Sequence, residues 1–195
     1  MYRESRNNQT GALIGILRIA DGANIPLAEG NRDYQDYLDW VAQDNTADPD
    51  PYYSIDVIRE RKWIEIKDQR DARKSGGVKV AVGGTDYWFH TDDASRIQWI
   101  GVKDSARDIL TAGGSMTDIV RILGQNLVWK TLSGAFVEVT CQVAFDVVQA
   151  TKNLDAILFA TAETKRAALN TIDHPEAFDT VSGWNKTYEE SLQVV

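Results

Sequence analysis

Residues 78–90 carry the sequence VKVAVGGTDYWFH, in which β-branched and aromatic residues stand on both sides of a Gly-Gly pair. Two extended runs joined by Gly-Gly are typical of a β-hairpin, because glycine readily adopts the positive φ values of a tight turn. A second hairpin is predicted from residues 127–131 and 135–139, with Ser133-Gly134 at its turn. We therefore expect two hairpins in the middle of the chain.

Helical patterns flank the first hairpin. A helix is predicted over 55–74, with Ser54 as its cap, an apolar first half and a charged second half. Such a change midway is typical of a helix that leaves one packed region and projects into solvent or toward a partner. After the hairpin, Thr91 is predicted to cap a helix, whose apolar side carries Ala94, Ile97, Ile100 and Gly101.

A short helix is predicted over 116–123, and a long last helix over roughly 141–172 with Thr140 as its cap. The last helix has two adjacent apolar stripes, which indicates contact on two sides. An antiparallel helix pair within the chain and a homo-oligomeric bundle both fit this pattern. The apolar faces of the helices over 55–66 and 147–168 are expected to bury against copies of the chain or a partner. The residues expected at this partner or oligomer interface are Ile55, Ile58, Val147, Leu154, Ile157 and Leu158.

The N-terminal part differs in character from the rest. Residues 1–11 are polar and are predicted as a mobile arm, 12–19 as a strand, and Asn31 as the cap of a helix that ends near Gln43. The expected fold class is α+β: a small N-terminal strand-helix segment, then a long helix, two β-hairpins and a long C-terminal helix. The expected domains are a strand-helix docking segment (1–46), a proline-containing linker (47–54) and a hairpin-helix domain (55–195).

Charge and composition exclude several classes of function. The chain has 195 residues, with 21 Lys+Arg against 29 Asp+Glu and a formal net charge of −8. An acidic surface repels phosphate backbones and anionic membranes, so we expect neither a nucleic acid nor a membrane as partner. No apolar run approaches the roughly 20 residues of a membrane span, which favours a soluble protein. The single cysteine, Cys141, excludes an intramolecular disulfide framework.

The reactive side chains do not form a recognisable catalytic pattern. The two histidines, His90 and His174, lack metal-ligand spacing, and a structural role is the simpler interpretation. Cys141 opens the last helix, where the helix dipole would lower a thiol pKa, but a small buried side chain is the alternative. Asp92 and Asp93 fit a helix N-terminus better than a carboxylate pair for glycoside hydrolysis. We therefore expect no enzyme, no metal and no cofactor.

Several motifs follow one another with regular spacing along residues 55–185. They read RKSGGVKV (73–80), YWFHTD (87–92), SRIQ (95–98), WKTLSGAFV (129–137) and SGW (182–184). In order and spacing they resemble a domain of unknown function that recurs in tail-fibre and tail-fibre-assembly proteins of tailed bacteriophages. IADGANIP (19–26), NRDYQDYLDW (31–40) and Asn45-Thr46 resemble its usual N-terminal companion segment, although Ala47 stands where a proline usually follows.

The resemblance implies a protein of the virion tail, present in the host cytoplasm during assembly. Its implied partners are tail-fibre or baseplate proteins, in a hetero-oligomer or in a homo-oligomer that is a trimer by analogy. The leading hypothesis is a non-enzymatic structural component that serves fibre assembly and host attachment. An assembly chaperone that leaves the fibre is the alternative, and an enzyme or sugar-binding tip is a third. Residues 104–125 look individual to this chain and are predicted to form a surface for one partner.

Overall fold

The computed structural model describes residues 1–7 and 11–193 and confirms the α+β class, with about 46% helix and 20% strand. The strands are β1 (Tyr2–Arg6), β2 (Leu13–Arg18), β3 (Ala23–Pro26), β4 (Val78–Val82), β5 (Thr85–Phe89), β6 (Arg121–Ile122), β7 (Gln125–Asn126), β8 (Val128–Lys130) and β9 (Phe136–Glu138). The helices are α1 (Arg32–Val41), α2 (Ile55–Lys74), α3 (Asp93–Thr111), α4 (Cys141–Thr171) and α5 (Tyr188–Leu192), with a 3-10 turn at Pro175–Ala177.

The chain forms two compact units. One comprises residues 1–65 and 166–180, and the other comprises 66–165 and the residues from 181 onward. Residues 55–65 of α2 and 166–171 of α4 belong to the first unit, so the division does not fall at the predicted linker, 47–54.

In the first unit, β1, β2 and β3 form an antiparallel sheet in that order. The prediction that residues 1–11 form a mobile arm is wrong for β1, and residues 8–10 lie outside the described residues. Tyr2 holds β1 in place because its ring packs edge-on against Tyr37 (5.2 Å) and Trp40 (5.0 Å) of α1. Aromatic packing by one residue therefore outweighs the polar character of the segment.

The segment predicted as a linker is bound to β1. The Glu4 N–H donates to the Asp48 carbonyl (2.8 Å), and the Asp48 N–H donates to the Tyr2 carbonyl (2.9 Å). The Arg6 N–H donates to the carboxylate of Asp50 (2.9 Å), which is 8% exposed. Residues 48–50 thus satisfy backbone groups at the outer edge of β1.

The core of the second unit lies between the hairpins and the helices α3 and α4. Trp99 of α3 is 2% exposed, and its ring lies 5.5 Å from Phe89 and 4.3 Å from Trp129. Phe89 comes from the β4–β5 hairpin and Trp129 from the β8–β9 hairpin, so one side chain contacts both. A backbone hydrogen bond from the Leu132 N–H to the Trp88 carbonyl (2.8 Å) also joins the two hairpins.

The predicted apolar side of α3 is wrong. Ile97 and Ile100 are 71% and 57% exposed, whereas the buried residues of the helix are Ser95, Trp99, Val102 and Ala106. Trp99 buries far more surface than either isoleucine, and its packing between the hairpins fixes the rotation of the helix.

The predicted cap of α3 is displaced by one residue. Asp92 is the N-cap, and its carboxylate accepts from the Ser95 N–H (3.0 Å). Thr91 is buried, and its hydroxyl accepts from the Gly77 N–H (2.9 Å). Because an unpaired buried N–H is costly, Thr91 serves Gly77 rather than the helix.

Residues 116–123 do not form the predicted helix. Instead, β6 and β7 form a small hairpin with Leu123 and Gly124 at its turn. The segment before it is held by the Val120 N–H, which donates to the Val139 carbonyl (2.9 Å), and Val120 is fully buried. This long-range pairing, which a local helical pattern does not reveal, sets the backbone.

Candidate interaction surface

The six residues predicted at a partner interface divide into two groups. The structure buries Ile58 (3% exposed), Val147 (0%), Leu154 (9%) and Leu158 (0%) inside the chain itself. Ile55 and Ile157 remain 46% and 43% exposed. The interface interpretation is thus corrected for the four buried residues, because their apolar surface is already covered by this chain. The structure does not bring the two exposed residues together in one unit.

Cys141 is not placed as a nucleophile. Its side chain is fully buried, and the thiol lies 3.7 Å from the Ala106 carbonyl as a weak donor. Burial raises the pKa of the Cys141 thiol, and the nearby Asp118 carboxylate raises it further. These effects oppose the helix-dipole effect considered from the sequence, and they keep the sulfur protonated.

Asp92 and His174 make contacts with residues close to them in the sequence. Asp92 accepts from the Ser95 hydroxyl (2.6 Å) as well as from its N–H, and these bonds hold the pKa of Asp92 below its usual range. The exposed His174 ring precedes the 3-10 turn and lies 3.3 Å from the Glu176 carboxylate. Among the described residues, no three His, Cys, Asp or Glu side chains are grouped as metal ligands. In the same residues, no helix has the length and apolar character to cross a membrane.

The β6–β7 hairpin presents an apolar tip. Leu123 is 98% exposed, and its neighbour Ile122 is 49% exposed. Leu123 adopts a φ of +52° and is followed by Gly124 at +78°. The left-handed region costs a residue with a Cβ about 1–2 kcal/mol, so leucine occupies a position that suits glycine or asparagine. At this tip, Leu123 therefore combines a strained backbone with an uncovered apolar side chain.

A second apolar surface lies on the outer face of the β8–β9 hairpin. Alternate residues of an antiparallel pair lie on the same face, and here Val128 and Phe136 are 47% and 73% exposed. The cross-strand neighbours on this face are Val128 with Glu138, and Lys130 with Phe136. The inner face carries Trp129 and Val137, which belong to the core.

Sequence reasoning located the region of the tip but not its geometry. The sequence of residues 104–125 looks individual to this chain, and Leu123 lies within this segment. The Leu-Gly pair at 123–124 is a weak turn signal, because leucine is uncommon at the first position of such a turn. Phe136 was predicted correctly as a strand residue, but strand alternation alone does not say which face is covered.

Comparison with known proteins places most of the chain in one family. A family model described as a domain of unknown function (DUF4376) matches residues 57–182, which is more than half of the chain. The chain belongs to this family. No curated protein and no solved structure matches it. The family has no described activity, so the exposed surfaces of the DUF4376 region and the sequence resemblance are what bear on the function of the chain.

Proposed function

We propose that the chain is a non-enzymatic structural component of a bacteriophage tail fibre or baseplate. On this proposal it contributes to fibre assembly and host attachment through contacts with other proteins. The resemblance of residues 55–185 supports the tail assignment. One observation carries the contact role: Leu123 presents a 98% exposed apolar side chain from a left-handed backbone conformation.

The energetics of Leu123 favour a partner at the tip. The strained backbone lowers folding stability by about 1–2 kcal/mol, and an uncovered leucine side chain contributes no burial energy to offset it. Full burial of a leucine in a partner's apolar pocket contributes about 1.5–3 kcal/mol, which is enough to offset the strain. A protein partner at the tip would therefore account for a residue choice that the isolated chain does not explain.

In the proposed role, the core cluster that contains Trp99 also contains Val120 and so holds the base of the β6–β7 hairpin. The partners are tail-fibre or baseplate proteins, in a hetero-oligomer or in a homo-oligomer that is a trimer by analogy. The chain would reside in the virion tail and pass through the host cytoplasm during assembly. No cofactor and no chemical step enters this role.

The test is the incorporation of variants into phage particles. Leu123→Asn removes the apolar side chain and suits the left-handed conformation, so it should fold and yet be lost from purified particles. The matched control is Ile97→Asn, since Ile97 is an exposed apolar residue (71%) of α3. Quantitative mass spectrometry would count each chain against the major tail protein.

The possible results distinguish the proposed structural role from its alternatives. A fixed ratio for the natural chain and for Ile97→Asn, with loss of Leu123→Asn, supports the proposal. Incorporation of Leu123→Asn at the natural ratio overturns the contact role of the tip. Absence of the natural chain from particles, with abundance in infected cells, replaces the structural role with that of an assembly chaperone.

A further inference from the structure

The strand β9 has an open outer edge in the second unit. Hydrogen bonds connect Thr131 N–H to the Ala135 carbonyl (2.8 Å) and Val139 N–H to the Leu127 carbonyl (2.9 Å). Because bonded positions alternate along an antiparallel pair, the backbone groups of Phe136 and Glu138 point away from β8. Among the described residues, no strand pairs with this outer edge of β9.

The strand at the other end of the joined hairpins provides a comparison. The tight turn at Gly83-Gly84 makes Val82 and Thr85 a bonded pair, so the backbone groups of Lys79 and Ala81 point away from β5. A lysine on an edge strand discourages pairing with another chain, and Lys79 is exposed and forms an ion pair with Asp86 (3.0 Å). The outward positions of β9 carry no lysine or proline, and Phe136 is 73% exposed. Each edge therefore carries one charged residue at its outward positions, Lys79 on β4 and Glu138 on β9, but only the β9 edge also presents an exposed aromatic side chain.

The outward groups of β9 are arranged symmetrically. Phe136 and Glu138 stand one residue before and one residue after Val137, so a twofold axis at Val137 places Phe136 opposite Glu138 of a second copy. Backbone N–H and C=O groups then face their counterparts in an antiparallel register. A closed twofold interface uses the same surface on both copies, as this arrangement does.

The side chains of this register are compatible. No like charges stand directly opposite each other, because each Glu138 faces a phenylalanine. Phe136 has Lys130 as its cross-strand neighbour within the chain and would have Glu138 of the second copy on its other side. At a strand separation of about 4.8 Å, the two opposite charges would flank the ring and the strands would cover part of its exposed surface.

We propose that two copies of this chain associate through β9, in antiparallel register about Val137. The interface is small, because each β9 strand has only three residues, and small interfaces are typical of weak, transient complexes. Association should therefore depend on concentration in the micromolar range. This inference does not rest on the proposed tail role, since it concerns the isolated chain.

The test is sedimentation velocity of the full chain from low to high micromolar concentration. The natural chain should shift from monomer toward dimer. Phe136→Glu places like charges opposite each other at both ends of the paired strands and should remain monomeric. The double variant Phe136→Glu with Glu138→Lys restores opposite charges in the same register and should recover the dimer. Ile97→Glu, at an exposed site on α3, is the matched control and should not change association.

Three results would overturn the inference. One is a natural chain that stays monomeric throughout the concentration range. Another is a dimer that survives Phe136→Glu, which would place the contact on a different surface. The third is failure of the double variant to recover the dimer lost in Phe136→Glu, which would refute the register about Val137. If the variants do not fold by circular dichroism, hydrogen exchange of the natural chain decides, since the Phe136 and Glu138 amides should gain protection at high concentration.

Discussion

The guanidinium of Arg96 on α3 donates two hydrogen bonds to the carboxylate of Asp155 on α4, from Nη1 to Oδ2 at 2.7 Å and from Nη2 to Oδ1 at 3.0 Å. The same guanidinium donates to the Thr91 carbonyl (2.6 Å) and to the Lys74 carbonyl at the end of α2 (2.8 Å). One side chain therefore connects three helices of the second unit. Planar, two-pronged geometry of this kind is specific to arginine.

Arg96→Ala should lower the free energy of unfolding by about 2–3 kcal/mol, because two carbonyls and a carboxylate lose a charged donor together. Urea denaturation of the purified chain would measure the change. The control is Arg107→Ala, which removes an exposed ion pair to Asp104 and should cost no more than about 0.5 kcal/mol. Equal losses in the two variants would contradict the connecting role of Arg96.

Asp92 should make stability depend on pH in the acidic range. Hydrogen bonds from the Ser95 hydroxyl and N–H lower the pKa of Asp92 in the folded chain. The stabilisation from this group is complete above the pKa of the unfolded chain and disappears as pH falls through the lower, folded pKa. Asp92→Asn retains a capping side chain without the charge. Its deficit in stability at neutral pH should shrink on acidification, and a deficit that is constant with pH would refute the prediction.

Ile157 and Leu158 form a matched pair of neighbours on α4. Leu158 is fully buried and Ile157 is 43% exposed. Leu158→Ala should cost about 2–5 kcal/mol through the cavity it creates, whereas Ile157→Ala should cost less than about 1 kcal/mol. Thermal unfolding of both variants would show the contrast. Similar losses would mean that the helix is rotated relative to this structure.

Cys141 should be unreactive in the folded chain. Burial raises the pKa of its thiol and also blocks access by reagents. A thiol reagent such as DTNB should react slowly with the native chain and rapidly after denaturation in urea. Rapid reaction of the native chain at neutral pH would contradict the buried placement and would reopen the nucleophile hypothesis.

Leu123→Asn should raise the free energy of unfolding by about 0.5–1 kcal/mol, since asparagine tolerates the left-handed region that leucine resists. No packing is lost, because Leu123 is 98% exposed. Gly124→Ala should have the opposite effect and destabilise the chain, because it introduces a Cβ at a φ of +78°. A lower melting temperature for Leu123→Asn would show that Leu123 is not strained.

Several elements could be predicted because their signals are local. The bounds of α2 agree with the prediction of 55–74, since Ser54 accepts from the Val57 N–H (3.2 Å) at its start and Gly76-Gly77 follows its end. The tight turn at Gly83-Gly84 likewise placed β4 and β5. Asn31 and Thr140 cap their helices as expected, through bonds from Tyr34 and Val143.

The predictions that the structure contradicts fail because they depend on contacts between residues far apart in the sequence. The rotation of α3 depends on Trp99, which packs against Phe89 and Trp129 from two separate hairpins. The role of Thr91 depends on Gly77, fourteen residues earlier. The β1 strand depends on α1 through Tyr2. In each case the nearest sequence favoured one structure and a distant partner selected another.

For the surfaces, too, some features are set by the local sequence and others by distant contacts. Alternation within β8 and β9 indicates two faces for these strands, and the apolar stripes of α4 indicate that the helix is contacted on two sides. These are consequences of local geometry, because side chains repeat with the period of the backbone. The amino-acid sequence by itself thus determined the element types, the tight turns and most of the helix caps.

Only the tertiary structure decides which of the apolar residues are buried. Leu158 and Val147 lie in the core while Ile157, Leu123 and Phe136 stay exposed, although hydrophobicity does not separate these two groups. Burial is a property of the space between elements, where a residue's contacts come from segments far away in the chain. The candidate surfaces, the Leu123 tip and the open edge of β9, therefore emerged from long-range packing.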